Sequence, residues 1–167
     1  MSIFAINRGK RNRMLSQSHI IGRMIAVAEY AAGLAGKPMS KEDIASLIAR
    51  PSPRLLRVLS EYSGADRRPR SRLKYLIGIE EVTNPPRSLT ELQQVDAWNG
   101  YHGELSEIRK AIELTTIRAK AALSQEEFAA AVGMRRSTVA GIESHRQNCK
   151  RVDLEAARAL LAGAENG

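Results

Sequence analysis

The sequence predicts a mainly α-helical protein in two parts, and three observations carry that reading. Apolar residues recur at three- and four-residue spacing along most of the chain. Capping pairs such as Ser-x-x-Glu stand at the head of these stretches, and Gly or Pro stands at their ends. Charge is divided between two basic ends and an acidic middle. Residues 1–74 hold 15 Lys and Arg against 5 Asp and Glu, residues 75–108 hold 1 against 6, and residues 109–167 hold 10 against 7. The acidic stretch also carries Pro85, Pro86, Gly100 and Gly103. The expected organisation is therefore a basic helical domain with an N-terminal arm over 1–82, a connector containing a helix over 83–103, and a second helical domain over 104–167.

Taken in order, residues 18–34 place Ile21, Ile25, Ala28 and Ala32 on one helical face, and Gly33, Gly36 and Pro38 end the segment. Ser40 with Asp43 caps a short helix at about 41–49 that buries Ile44, Leu47 and Ile48 and stops at Pro51. Pro53 opens a third helix at about 53–62, carrying Leu55, Leu56, Val58 and Leu59 and ending at Gly64. The stretch 73–82 reads equally as a strand or a helical turn. After Pro85-Pro86, Ser88 with Glu91 starts a helix carrying Leu92, Val95 and Trp98.

At 167 residues with 43% hydrophobic and 26% charged, the chain has a globular composition and can bury a core. Its net charge of +8 favours a polyanionic partner: nucleic acid first, an acidic protein second, a membrane surface third. The one cysteine, Cys149, excludes an intramolecular disulfide. Because His19, His102 and His145 are scattered, no metal site is expected, structural zinc included. Cys149 and His145 have no orienting carboxylate beside them, so their proximity is read as coincidence. No apolar run approaches the ~20 residues of a membrane span, and a cytoplasmic, nucleoid-associated location is expected.

The informative stretch is 109–162. Leu114, Ile117 and Ala121 mark one helix, and Ser124 with Glu127 caps the next, in which Phe128 and Val132 lie one turn apart. Gly133 can take the left-handed conformation that reverses the chain, with Met134 plugging the gap behind it. Val139 and Ile142 then bury the inner face of a following helix, leaving Arg136, Ser137, Thr138 and Gly141 outward. That is a helix-turn-helix, followed by a further helix in VDLEAARALLAG.

The run LTTIRAKAALSQEEFAAAVGMRRSTVAGIES resembles the phage-repressor helix-turn-helix family of the Cro/cI, or XRE, type. Leu123 to Ala129, Val132 to Met134, Ser137 to Val139, Ile142 and Glu143 fall in its register without a gap. The resemblance covers about 108–162 and implies a compact lambda-repressor-like domain whose third helix enters the major groove of operator DNA. It also implies that Arg136, Ser137, Thr138 and Gly141 face bases, with Arg136 the first candidate for guanine, and that Gln125 bonds a phosphate or braces a reading side chain. Arg135, Arg146, Lys150 and Arg151 are read as phosphate clamps. Arg118 and Glu143 occupy positions that pair as a structural salt bridge. Two departures stand out: Ser144-His145 replaces a glycine after the reading helix, and NCKR adds about one residue before the next helix.

The N-terminal half has the order of a winged helix-turn-helix, with Arg67, Arg68, Arg70, Arg72 and Lys74 as a basic wing. Together with Arg54 and Arg57 these are a candidate second DNA surface. A helical domain that binds a protein, or one that only dimerises, fits the same pattern. Arg8, Lys10, Arg11 and Arg13 form an arm that either tracks a groove or is disordered. The combined reading is a non-enzymatic, cofactor-free regulator that binds double-stranded operator DNA as a homodimer on an inverted repeat and represses by occupying a promoter. The alternatives are an antitoxin-like protein whose N-terminal half holds a partner, and a DNA-binding accessory factor of a mobile element. No paired carboxylates, phosphate-cradling glycine loop or nucleophile-base set supports an enzyme.

Overall fold

The computed structural model describes residues 16–52, 54–62, 66–77 and 85–165. The expected arm residues Arg8, Lys10, Arg11 and Arg13, the helix-opening Pro53, Gly64 and the end of the ambiguous 73–82 stretch lie outside them. The described residues form eight helices and no strand: α1 Gln17–Leu34, α2 Lys41–Ala49, α3 Arg54–Tyr62, α4 Arg67–Ile77, α5 Glu91–Lys120, α6 Gln125–Ala131, α7 Arg136–Glu143 and α8 Arg151–Glu165. Among them no helix is long and apolar enough to cross a membrane.

α1 is buried on nearly every side, as its uninterrupted run of Ile, Met, Val and Ala requires. Ser16 caps its start by accepting from the His19 N–H, and Gly36, at φ +72, closes its end with Lys37 N–H donating to the Ala32 carbonyl. Around it, Ile44, Leu47 and Ile48 of α2, Leu55 and Leu59 of α3, and Ala97 and Tyr101 of α5 complete the N-terminal core. A second core joins Ala111, Leu114 and Ile117 of α5 to Phe128, Val139, Ile142, Leu154 and Ala157 of α6 to α8. α5 therefore belongs to both cores.

Two sequence expectations change here. The helix after Pro86 starts at Thr90, whose hydroxyl and Gln93 side chain form the capping box, two residues beyond the Ser88–Glu91 pair. That helix then runs unbroken for 30 residues, about 45 Å at 1.5 Å per residue, with Gly100 and Gly103 inside it. In addition, the basic run from Arg67 is helical and not a strand-built wing. Asp66 caps its start through the Arg68 N–H at 2.7 Å, and Pro69 sits in the first turn, where it costs no helical hydrogen bond.

Gly100 is needed because α1 and α5 cross with their backbones in contact. A Cβ on Gly100 would lie 2.0 Å from the His19 carbonyl oxygen, and one on Gly22 would lie 1.8 Å from that of Ala97. Gly103, one turn away, has open space around it. Alanine should therefore have opposite effects at the two α5 glycines. Gly103→Ala is expected to stabilise by up to about 1 kcal/mol through helix propensity, whereas Gly100→Ala is expected to cost about 3 kcal/mol by forcing the helices apart. Urea unfolding of the two variants measures both signs.

Candidate nucleic-acid interface

The helix-turn-helix is assembled by local signals. Ser124 accepts from the Glu127 N–H at 3.2 Å, and the Glu127 carboxylate accepts from the Ser124 N–H at 2.8 Å, which holds that carboxyl below its usual range. α6 ends at Ala131, and the chain reverses at Gly133, φ +70, with the Met134 N–H returning to the Ala129 carbonyl at 2.8 Å. The reversed chain then brings Val139 and Ile142 of α7 onto Phe128.

The inner side of α7 is fixed by one carboxylate. Glu143 accepts from Arg118 Nε at 2.5 Å and from Gln125 Nε2 at 2.6 Å, while Arg118 Nη1 also donates to the Leu123 carbonyl at 2.8 Å. The expected Arg118–Glu143 pair is thus present. Gln125 turns its amide nitrogen toward Glu143 and stays half-exposed, so it braces α7 from within the motif.

On the outer side, Arg135, Arg136 and Ser137 are exposed, and neither arginine has an ion pair among the described residues. Thr138 is half-buried. Gly141 departs from the sequence expectation: it is buried, and a Cβ there would lie 2.8 Å from Gln147 Cδ. The Gln147 side chain returns across this face and donates from Nε2 to the Thr138 carbonyl at 3.2 Å. Sequence reasoning missed Gln147 because helical periodicity says nothing about a side chain reaching back from the next loop. Arg146, Lys150 and Arg151 are exposed on the segment after α7, with Arg146 Nε on Ser144 at 2.8 Å and Arg151 paired to Glu155 at 2.7 Å.

The second candidate surface divides. Arg72 is 2% exposed, and both its Nε and Nη2 donate to buried Glu104, which also accepts from Arg23 at 2.9 Å. This removes Arg72 from any DNA surface: its charge is consumed inside the protein. Arg54 pairs with Asp43 at 2.5 Å and Arg68 with Asp66 at 2.7 Å. Arg57, Arg67, Arg70 and Lys74 remain exposed with no ion pair among the described residues. Arg67, Arg70 and Lys74 share one face of α4 at i, i+3 and i+7.

The loop after α7 explains the missing glycine. His145 itself takes the left-handed conformation, φ +57, with its N–H on the Ile142 carbonyl and the Arg146 N–H on that of Gly141. Its ring is buried against Tyr30 of α1, centroids 5.2 Å apart. Cys149 is buried next to α5, and burial pushes its thiol up to about 11. Among the described residues no group of three or more potential metal ligands exists.

Burial, then the cations of Arg72 and Arg68, lower His145 to about 4 from 6.5, with Glu104 and Asp66 opposing weakly. The folded protein thus keeps this ring neutral while the unfolded chain protonates it below pH 6.5. Stability should therefore be complete above pH 6.5 and fall by about 3 kcal/mol as pH drops toward 4. Urea midpoints between pH 7 and ~5.5, above the range where carboxylates such as Asp66 and Glu113 protonate in the folded or the unfolded chain, should show the slope in wild type and lose it in His145→Gln.

Comparison with known proteins agrees with this geometry. Residues 114–148 match the family model described as helix-turn-helix, from the α5 residue Leu114 through the loop after α7. No curated protein and no solved structure matches the chain. The segment 114–148 is thus similar to helix-turn-helix domains of the XRE type, a family of DNA-binding regulators.

Proposed function

We propose that the protein is a transcriptional repressor that reads double-stranded operator DNA with α7. The observation that carries this reading is the asymmetry of that helix. Its inner side is locked by Val139, Ile142 and the Glu143 hydrogen bonds, while Arg135 and Arg136 open its outer side exposed and without an ion pair among the described residues. Two adjacent unpaired guanidiniums at the start of a rigid helix fit the major groove, where Arg136 takes guanine O6 and N7. Ser137 and Thr138 stand beside it, and the Gln147 amide takes the place of the side chain that Gly141 lacks. Arg135, Arg146, Lys150 and Arg151 hold phosphates on either side. The protein acts as a homodimer, placing two such helices in successive major grooves of an inverted repeat about 34 Å apart. Occupancy of a promoter then represses transcription.

A second contact to the same duplex is favoured by the Arg67, Arg70 and Lys74 stripe on α4. Three like charges on one helix face without a partner among the described residues repel each other until a polyanion neutralises them.

Binding of the full-length protein to the DNA upstream of its own gene, against random DNA over a salt series, tests the reading. Arg136→Ala is expected to lose about 1–3 kcal/mol of selective binding while leaving random-sequence binding nearly intact. Equal losses on both DNAs would remove Arg136 from base reading. Lys150→Ala should weaken all sequences alike and lower the salt slope by about one. Substituting Arg67, Arg70 and Lys74 together by Gln should lower that slope by about two to three, and an unchanged slope would detach α4 from the DNA.

A further inference from the structure

The loop that follows the reading helix is gripped from the N-terminal half at two independent points. Asn148 Oδ1 accepts from Arg72 Nη2 of α4 at 2.6 Å, and the His145 ring packs on Tyr30 of α1, whose hydroxyl lies 3.4 Å from Nε2. The same loop is bound tightly to α7. The Arg146 and Gln147 N–H groups donate to the Gly141 carbonyl at 2.8 and 3.3 Å, and Gln147 Nε2 donates to that of Thr138. A chain of short contacts therefore runs from α1 and α4 through residues 145–148 to the middle of α7. Arg72 is itself held by the buried Glu104, so the far anchor is rigid.

We infer that Tyr30, Arg72, His145 and Asn148 are positioning residues for DNA reading: the N-terminal four-helix unit sets the pose of α7 by clamping the loop behind it. This rests on the reading of α7 as the DNA-contacting helix. Two features favour a clamp over incidental packing. The left-handed position after α7 is filled by His145, a residue that pays a backbone penalty where glycine would not, and its ring is used for the Tyr30 contact. Asn148 is exposed, yet its side chain receives a hydrogen bond from an arginine that is itself buried.

The test uses the full chain with four single substitutions, all assayed at a temperature where circular dichroism shows them folded. His145→Gly keeps the loop backbone and deletes the ring contact; Tyr30→Phe deletes only the hydroxyl; Asn148→Ala deletes the acceptor; and Asn148→Asp keeps an acceptor for Arg72. Operator affinity is expected to fall about three- to tenfold in His145→Gly and Asn148→Ala, less in Tyr30→Phe, with random-DNA affinity and salt slope unchanged. Asn148→Asp should bind more tightly than Asn148→Ala, because the clamp is restored. The reverse order would mean that Asn148 touches phosphate directly, and wild-type affinity in both His145→Gly and Asn148→Ala would equally overturn the clamp. Amide hydrogen exchange separates this from a failure of the DNA reading. With no DNA present, exchange at residues 138–143 should quicken in His145→Gly and Asn148→Ala while α6 stays protected. Unchanged exchange at 138–143 would overturn the clamp whatever the protein binds.

Discussion

Where α1 crosses α5, Gly22 and Gly100 remove the two side chains that would otherwise hold the backbones apart. Arg23 follows Gly22 directly, and Glu104 lies one turn beyond Gly100, so the close crossing sets guanidinium against carboxylate at 2.9 Å. Arg72 then closes on the same carboxylate from α4. A buried Glu with one cation is a poor bargain, because desolvation consumes most of the Coulomb gain. Three hydrogen bonds from two arginines satisfy both oxygens and leave neither stranded. The arrangement is specific in a way that apolar packing is not: moving α1 or α4 by a turn would strand a buried charge. The glycine contact and the Glu104 cluster together dictate where α4 lies, and α4 lies against the loop after α7.

How much of this was legible in the sequence follows the range of the forces involved. The helix-turn-helix was readable because each of its determinants acts within a few residues: the Ser124–Glu127 box, the left-handed Gly133, the spacing of Val139 and Ile142. The Arg118–Glu143 pair was readable only through the family resemblance. The helix expected inside the 83–103 connector was not foreseen to continue to Lys120, because Gly100 and Gly103 are poor helix formers and local propensity is all a sequence displays. Tertiary packing overrode it, and at Gly100 the missing side chain is the reason the helix fits. The basic run 67–74 looked like a wing for a similar reason. Five cations in eight residues read as a solvated surface until Glu104, 32 positions beyond Arg72, draws that residue inside. Gly141 faces outward by helical period, yet Gln147 folds back over it, which no periodicity encodes.

The distribution of arginines carries the last step. Seven have a carboxylate partner among the described residues: Arg23 and Arg72 with Glu104, Arg54 with Asp43, Arg68 with Asp66, Arg118 with Glu143, Arg151 with Glu155, Arg158 with Glu113. Two kinds must be distinguished among these. The exposed pairs contribute little, about 0–1 kcal/mol each, and are easily exchanged for phosphate. The Glu104 and Glu143 pairs lie inside or half inside, and each bears on one side of α7: Glu143 from within the motif, Glu104 through Arg72 and Asn148 behind it. Arg135 and Arg136, like Arg57, Arg67 and Arg70, have no such partner among the described residues. Internal carboxylates thus make the helix rigid without neutralising its outer charge. The proposed reading of DNA by α7 needs both, since a phosphate or a guanine can only be bound tightly by a cation that is already in place and not already paired.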